Sequence, residues 1–553
     1  MQLNPQHFTL SKLFVGRLFR IPEYQRPYAW GKPQRIDLFN DLLEVERSDQ
    51  DHFMATLVTL KTGSRRIGPD EFTVVDVVDG QQRLTTLIML LKAIEVALED
   101  SDPKHVKVKR DIAELLVKED ALCPVLLQTN HDTTTVMIEF LRSGDVPDRK
   151  GTTQAEQNLL DAARECAVFV SEWAASKDLV ELVALLRNRL SFIYHELDDE
   201  GTVYRVFEVL NSRGLDVKWI DKLKSQLMAS LFALADSTGK KEVIHEMHTA
   251  WQAIYQKLGL LLNIGDQALC FAATLSLQQR PNRVLTQKDA AAVLAESAGS
   301  QLRSIMNVVA WLKRVVDVVH EVDADPRLKA VVSINHARFL RVAIMLRDFP
   351  NDTKERLLNL WENVTFRVYG LAELDSRSKV GDYVRLGHSV FANKLGADEI
   401  EKGLRELGKD YSIDKILKTI SWSDCYPGWA ESLRYLLYRY EEHLAAVAGG
   451  DINKQVWKRI WDAEPSRSVE HIQPQSSGFR YVHHLGNLTM LPPGVNSSLQ
   501  DLPPAKKAER YTDEGIRGTR EVAKIIRRDG WSETEVKKRA ERIEKFVRAE
   551  WAD

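Results

Sequence analysis

The chain lacks most of the features that mark secreted, membrane-bound and fibrous proteins. Only four cysteines occur in 553 residues, at 123, 166, 270 and 425. They are far apart and form no CxxC pair, so they offer neither a zinc-binding spacing nor a disulfide framework. No apolar run reaches the roughly eighteen residues that a bilayer span requires. The richest stretch, Leu84 to Leu98, is broken by Lys92 and Glu95 and reads as a core helix. The first residues, with Gln2, Asn4, Gln6 and His7, lack the apolar core of a signal peptide. A cytoplasmic protein without membrane contact is expected. Charge of one sign is also missing: 76 Lys and Arg stand against 79 Asp and Glu, a net charge of −3. That balance excludes a protein that coats nucleic acid through bulk positive charge. Neither an internal repeat nor a low-complexity linker is present, so the domains are expected to be packed rather than tethered.

What is present divides into three textures, at roughly three or four domains' worth of length. Residues 1–230 mix strand and helix patterns. Phe53 to Leu60 and Phe72 to Val78 are β-rich, and Leu84, Leu87, Ile88, Leu91, Ile94 and Leu98 then recur at helical spacing. Leu190 to Leu197 reads as a further strand, followed by a helix through Tyr204, Phe207 and Leu210. Residues 231–449, opening on a loop around Asp236-Ser237-Thr238-Gly239, are almost wholly helical in pattern and carry no catalytic motif, which fits a scaffold or spacer. Gly449-Gly450 marks a boundary. Residues 450–553 begin with Trp457 and Trp461, become loop-rich and end in charged helices. The fold class predicted is multidomain α/β plus mainly α.

The C-terminal part carries Ser468-Val469-Glu470-His471-Ile472-Gln473-Pro474, then Leu485-Gly486-Asn487-Leu488-Thr489, then Asn496. Phosphodiester cleavage at one metal needs a general base for water and a cation on the leaving oxygen. His471 has the position for the base. Glu470 and Asn496 offer hard oxygen ligands, suited to magnesium or manganese rather than zinc. The amide of Asn487 could fix the loop that holds His471. Each residue alone also has an ordinary reading, as a structural histidine, a turn residue or a helix cap. Lys506 and Lys507 follow Pro503-Pro504 and either hold a DNA phosphate or are solvated residues at a helix start.

Near the start, Ile21-Pro22-Glu23-Tyr24-Gln25-Arg26-Pro27-Tyr28-Ala29-Trp30 interleaves aromatics with Arg and Gln. Such a run either forms a stacking and hydrogen-bonding wall for a nucleotide or modified base, or packs onto the core. Asp79-Gly80-Gln81-Gln82-Arg83-Leu84-Thr85-Thr86 lies between a strand and a helix, where free amides suit an anion. Arg83 either neutralises phosphate or forms a structural ion pair, and Asp79 could hold a cation. The GxxxxGK[ST] spacing of a P-loop is absent. A third run, Phe207-Glu208-Val209-Leu210-Asn211-Ser212-Arg213-Gly214-Leu215, reads as a helix ending in a turn.

Taken in order, these runs resemble the GmrSD-type family. The C-terminal set is similar to HNH, or His-Me finger, ββα-metal nucleases, and the three N-terminal runs match a ParB- and sulfiredoxin-like nucleotide-processing domain. Two positions depart from the pattern: Glu470 where Asp is frequent, and Ala55 where Gly is usual. The resemblance implies a nucleotide-hydrolysing and sensing domain over 1–230, a helical middle, and an HNH nuclease domain with flanking helices over 450–553. It implies His471 as base, Asn487 as loop-orienting residue, and Glu470 and Asn496 as ligands of Mg2+ or Mn2+. In the first domain it implies a site around Tyr24, Gln25, Arg26, Tyr28, Asp79, Gln81, Gln82, Arg83 and Thr85, with Asn211 and Arg213 contributing. Asp79 and Arg83 are the residues expected to serve nucleotide chemistry, with GTP or ATP as the nucleotide.

The activity so implied is a nucleotide-dependent endonuclease that cuts or nicks modified, usually phage, double-stranded DNA. One branch of the family, the SspE proteins, senses phosphorothioate DNA. Two other readings stay open: a modified-DNA sensor with a vestigial nuclease, and a nucleotide hydrolase acting in abortive infection. Monomer, homodimer and association with other defence proteins are equally open. Residues 451–553 hold 19 basic and 16 acidic side chains, so the small positive excess lies at the nuclease end. This limits DNA binding to local phosphate contacts.

Overall fold

In the computed structural model of the chain, the described residues are 6–553 apart from 23–24, 26, 49, 119–122, 129–133, 198–217, 234–239, 260, 326–327, 329–330, 332, 462 and 514. The fold is mixed α/β and mostly helical. It divides into two compact units, Met1–Cys270 with Thr286–Asp317, and Phe271–Leu285 with Val318–Asp553. The helical stretch 231–449 is therefore shared between them. Among the described residues no helix is long and apolar enough to cross a membrane.

The first unit is built on a six-stranded sheet. Its strands are β1 (Gln6–Thr9), β2 (Arg17–Ile21), β3 (His52–Ile67), β4 (Asp70–Asp79), β7 (Leu126–Gln128) and β8 (Leu190–Leu197), in the order β1-β8-β3-β4-β2-β7. A separate two-stranded ladder joins β5 (Val117–Lys118) to β6 (Cys123–Pro124). The sheet is mixed: β3 runs antiparallel to β4, while β2 lies parallel to both β4 and β7. The valine run of β4 is explained by this central place, because a strand covered on both faces reads as continuous rather than alternating apolar sequence. Within it, Asp76 is buried and takes a two-pronged ion pair from Arg20 of neighbouring β2, at 2.5 and 2.9 Å. Desolvation raises the Asp76 carboxyl pKa, and Arg20 opposes that rise.

The expected strands at 53–60, 72–78 and 190–197 all form, although β3 and β4 extend further as a solvent-exposed hairpin. Strands β1, β2 and β7 escaped the sequence reading because each is short and β2 begins and nearly ends on arginine. The helix α1 (Gln81–Ala97) follows β4 directly and is buried on nearly all sides, packed against α2 (Gln154–Ala174). Gly80 makes the junction possible. Its φ is +89°, and a Cβ there would lie 2.8 Å from Leu57 Cδ1 and 3.1 Å from the Thr56 carbonyl. The expected helix through Tyr204 to Leu210 lies outside the described residues.

The second unit is helical except for one small ladder, in which β9 (Val469–His471) pairs antiparallel with β10 (Leu488–Met490). After β10 come α3 (Pro493–Leu499), α4 (Pro504–Asp513), α5 (Arg517–Asp529) and α6 (Glu533–Glu550). Helices α4 and α5 pack closely, and their apolar faces enclose Ile472, Leu491, Leu499, Tyr511 and Val522 in one core. This core supports the ladder from one side.

Candidate nuclease centre

Adjacent residues of a strand point to opposite faces, so Glu470 and His471 look into different surroundings. Glu470 faces the helices. Its Oε1 accepts from Lys507 Nζ at 2.7 Å and from the Tyr511 hydroxyl at 2.6 Å, and all three side chains are buried. Lys507 also donates to the His471 carbonyl at 2.7 Å. Burial raises the Glu470 pKa while Lys507 opposes the shift, and burial raises the Tyr511 hydroxyl well above its usual range. Lys507, expected at a DNA phosphate, is thus turned inward as the counter-ion of Glu470. The reason is periodicity: Pro504, Lys507, Ala508 and Tyr511 form the buried stripe of α4, and Lys506 lies outside it, exposed.

His471 faces the loop that connects the two strands. It is 5% exposed, and its ring meets Tyr426 edge-on with centroids 4.8 Å apart. Nε2 lies 3.1 Å from Nδ1 of His483, and Gln475 Nε2 donates to Nδ1 at 3.2 Å. Desolvation, with His483 and Lys507 adding to it, pushes the imidazole pKa down to about 3. The ring is therefore neutral at physiological pH, the form that can accept a proton.

Asn487 ties the loop together through its side-chain amide. Oδ1 accepts from the Gln473 amide at 2.9 Å and from Trp531 Nε1 at 3.0 Å. Nδ2 donates to the Gln473 and Val482 carbonyls at 3.1 and 2.9 Å. Its neighbour Gly486 is pressed against α6, where a Cβ would sit 1.9 Å from the Val536 carbonyl oxygen. Arg539 of α6 is fully buried and donates to the Gly486 and Leu488 carbonyls at 2.9 and 2.8 Å. Each residue of the Leu-Gly-Asn-Leu run thus has a physical reason: apolar burial, close approach, loop anchoring and apolar burial again.

Asn496 lies on α3, half-buried. Its Nδ2 donates to the Arg467 and Val469 carbonyls at 3.0 and 3.3 Å, which docks α3 against the start of β9. The amide oxygen accepts no hydrogen bond among the described residues, so a hard-cation donor remains on Asn496. Glu470 fits such an ion poorly, since its carboxylate is taken up by Lys507 and Tyr511. Among the described residues no group of three His, Cys, Asp or Glu could hold a metal. Of the two expected ligands, only the Asn496 amide oxygen is left to an incoming hard cation.

In the first unit, the expected nucleotide wall proves to be largely internal. Gln25 is buried and donates to the Val78 carbonyl at 2.7 Å. Gln82 accepts from the Ala29 amide at 2.8 Å and donates to the Pro27 carbonyl. Tyr28 is buried with its hydroxyl 2.9 Å from Thr86 Oγ1, and burial raises its pKa. Gln81 and Thr85 are also buried. These side chains pin the 25–30 segment against the end of β4 and the start of α1. Arg83 is exposed, its guanidinium 5.8 Å from the centre of the Trp30 ring, and Asp79 is half-exposed at the strand end. Tyr24, Arg26, Asn211 and Arg213 lie outside the described residues.

Three groups at the centre carry little or no signal in the sequence. Tyr426 stands far from any motif and gave no signal. His483 was signalled only by the His-His pair just before Leu485. Arg539 lies on the buried stripe of α6 with Val536, Ala540 and Ile543, where a charged residue is out of place unless it has a partner.

Two measurements check this geometry. Gly486→Ala must separate α6 from the turn, and a loss of about 2–3 kcal/mol in unfolding free energy is expected; a melting curve unchanged from wild type would refute the close approach. His471 has a folded pKa near 3 against 6.5 in the unfolded chain, so its contribution to stability is present above pH 6.5 and falls as pH drops toward 3. Between pH 7.5 and 5.5, wild type should therefore lose about 1 kcal/mol more than His471→Gln. Equal losses in denaturant titrations at the two pH values would show that the ring is not held neutral.

Comparison with known proteins agrees with this division of the chain. The family model for the GmrSD restriction endonuclease N-terminal domain matches residues 10–228. The one for the GmrSD restriction endonuclease C-terminal domain matches residues 410–546, a span that holds the whole of the centre around His471. No individual curated protein matches the chain. With both domains matched in order over more than half its length, the chain belongs to the GmrSD restriction endonuclease family.

Proposed function

We propose that the protein is a restriction endonuclease acting on modified DNA, cutting or nicking it at a His-Me finger centre in the second unit. The observation that carries this reading is the environment of His471: a neutral, desolvated imidazole on a short strand, facing a loop anchored by Asn487, within the matched C-terminal domain. His471 Nδ1 takes a proton from the attacking water. The negative charge of an arriving phosphate raises the basicity of the ring at that moment. A magnesium or manganese ion held through Asn496 would stabilise the charge that develops on the leaving oxygen. Lys506 is available to a flanking phosphate, whereas Lys507 serves Glu470.

In the first unit, exposed Arg83 and half-exposed Asp79 beside the start of α1 support binding of a nucleoside triphosphate, GTP or ATP, whose hydrolysis gates cleavage. Gln25, Gln82 and Tyr28 act there as framework. A second reading, a sensor of modified DNA with a silent nuclease, is favoured by one observation, the capture of the Glu470 carboxylate by Lys507.

Plasmid nicking with magnesium or manganese separates the two. Wild type should nick modified plasmid, and His471→Ala should be slower by at least about a hundredfold, the ordinary worth of a general base. Equal rates for the two proteins would remove the nuclease assignment, and no nicking under any nucleotide would favour the sensor. Arg83→Ala should lose nucleotide dependence; cleavage that is the same in wild type and variant, with and without nucleotide, would remove the gating.

A further inference from the structure

We propose that His483 is the positioning residue of this centre, its Nδ1 accepting the Nε2 proton of His471 and so holding His471 in the tautomer whose Nδ1 can receive a proton from water. The inference rests on the reading of His471 as general base and specifies how that base is set.

The proton positions follow from which atoms can donate. An amide nitrogen can only donate, so the contact of Gln475 Nε2 at 3.2 Å makes Nδ1 of His471 an acceptor. A neutral imidazole carries one proton, which must then be on Nε2. That nitrogen lies 3.1 Å from His483 Nδ1, which must offer its lone pair and keep its own proton on Nε2. The three groups thus form one directed chain, Gln475 to His471 to His483. Gln475 is exposed, so its amide can yield Nδ1 to a water molecule, whereas His483 is half-buried and stacked on Tyr426.

His483 is itself held in place. Tyr426 stacks on its ring at 5.6 Å with only 12° between the planes, and presents an edge to His471. The His483 carbonyl accepts from the Cys425 amide at 2.9 Å, and the Leu485 amide donates to the Trp422 carbonyl at 2.8 Å. The 422–426 segment is thereby tied to both sides of His483. One aromatic ring, touching both imidazoles, sets the 74° angle between them.

Without an acceptor at position 483, the Nε2 proton of His471 would lose its protein partner. The ring would instead move its proton to Nδ1, where the Gln475 side chain can turn its oxygen to accept it, and the basic nitrogen would be lost. With His483 in place, the step balances. A water O–H bond breaks and its proton goes to Nδ1 of His471; the water oxygen forms the new bond to phosphorus; the bond from phosphorus to the leaving oxygen breaks, and that oxygen is protonated from solvent. The imidazolium formed at His471 strengthens its Nε2 donation to His483 and is stabilised by it.

Single-turnover nicking by the full chain tests this, comparing wild type, His471→Ala, His483→Leu and His483→Asn. Asn carries an acceptor oxygen near the place of Nδ1, and Leu carries none. Loss of the acceptor should lower the cleavage rate at saturating DNA by about tenfold to a hundredfold with little change in half-saturating DNA concentration. His483→Asn should recover most of the rate, and thermal melting of both variants should stay near wild type. His483→Leu cleaving like wild type, while His471→Ala does not cleave, would overturn the proposal and leave the nuclease reading intact. Equal loss in the Leu and Asn variants with unchanged melting would also overturn it, because an acceptor alone would then be insufficient. One equivalent of zinc retained by wild type after dialysis, and lost in His483→Asn, would replace the hydrogen bond with a metal shared by the two rings. Wild type and His471→Ala nicking at the same rate would instead remove the underlying nuclease reading.

Discussion

The side-chain amide of Asn487 has four hydrogen-bonding positions, and all four are used inside the protein. Two of them grip both backbone groups of Gln473, just beyond His471; a third reaches Val482, just before His483; the fourth draws in Trp531 between α5 and α6. Because an amide's donors and acceptors are fixed in one plane, these segments can meet it in only one arrangement. The loop between the strands would otherwise be free to move as loops do. The two imidazoles, the Tyr426 ring and the dock for α6 all depend on this one group.

A second constraint divides the centre. The alternation of a β-strand gives Glu470 to the core and His471 to the loop, and the buried Glu470–Lys507 pair locks that division. Removing one partner of such a pair strands a charge and costs about 3–5 kcal/mol, far more than the pair contributes against an apolar substitute. Its value here is positional. Lys507 also reaches the His471 carbonyl, so the pair sets the height of the strand relative to α4.

Much of this was legible in the sequence, and the limits have physical causes. Strands at 53–60, 72–78 and 190–197 were readable because β-branched runs ended by turn residues have few other uses. Strands β1, β2 and β7 were not, since three to five residues carry too little pattern. The motif Leu485-Gly486-Asn487-Leu488 was legible because a Gly-Asn pair marks a turn, and the Asn487 amide bonds across that turn. Glu470 and Lys507 were both given outward tasks because charged side chains are usually solvated; the buried stripe of α4, spaced 504, 507, 508 and 511, already argued otherwise. Tyr426 could not be found at all, because its role comes from tertiary placement some 45 residues before His471 in the chain. In the first unit, Gln25, Gln82 and Tyr28 looked like ligand-binding groups, yet the two glutamines satisfy backbone groups and Tyr28 pairs with Thr86.

The clamp of α6 on the Gly486 turn has a consequence for the order in which the protein becomes active. Chains fold from their N-terminal side as they are synthesised. Every side chain of the proposed centre, from Tyr426 to Asn496, leaves the ribosome before Val536 and Arg539 do. Until those two residues arrive, nothing covers the Gly486 turn and the carbonyls of Gly486 and Leu488 lack their cation. A nascent chain at that stage would therefore carry the side chains of the proposed centre without the support of α6. The ordering of this turn is thereby tied to the synthesis of α6, more than forty residues further along the chain.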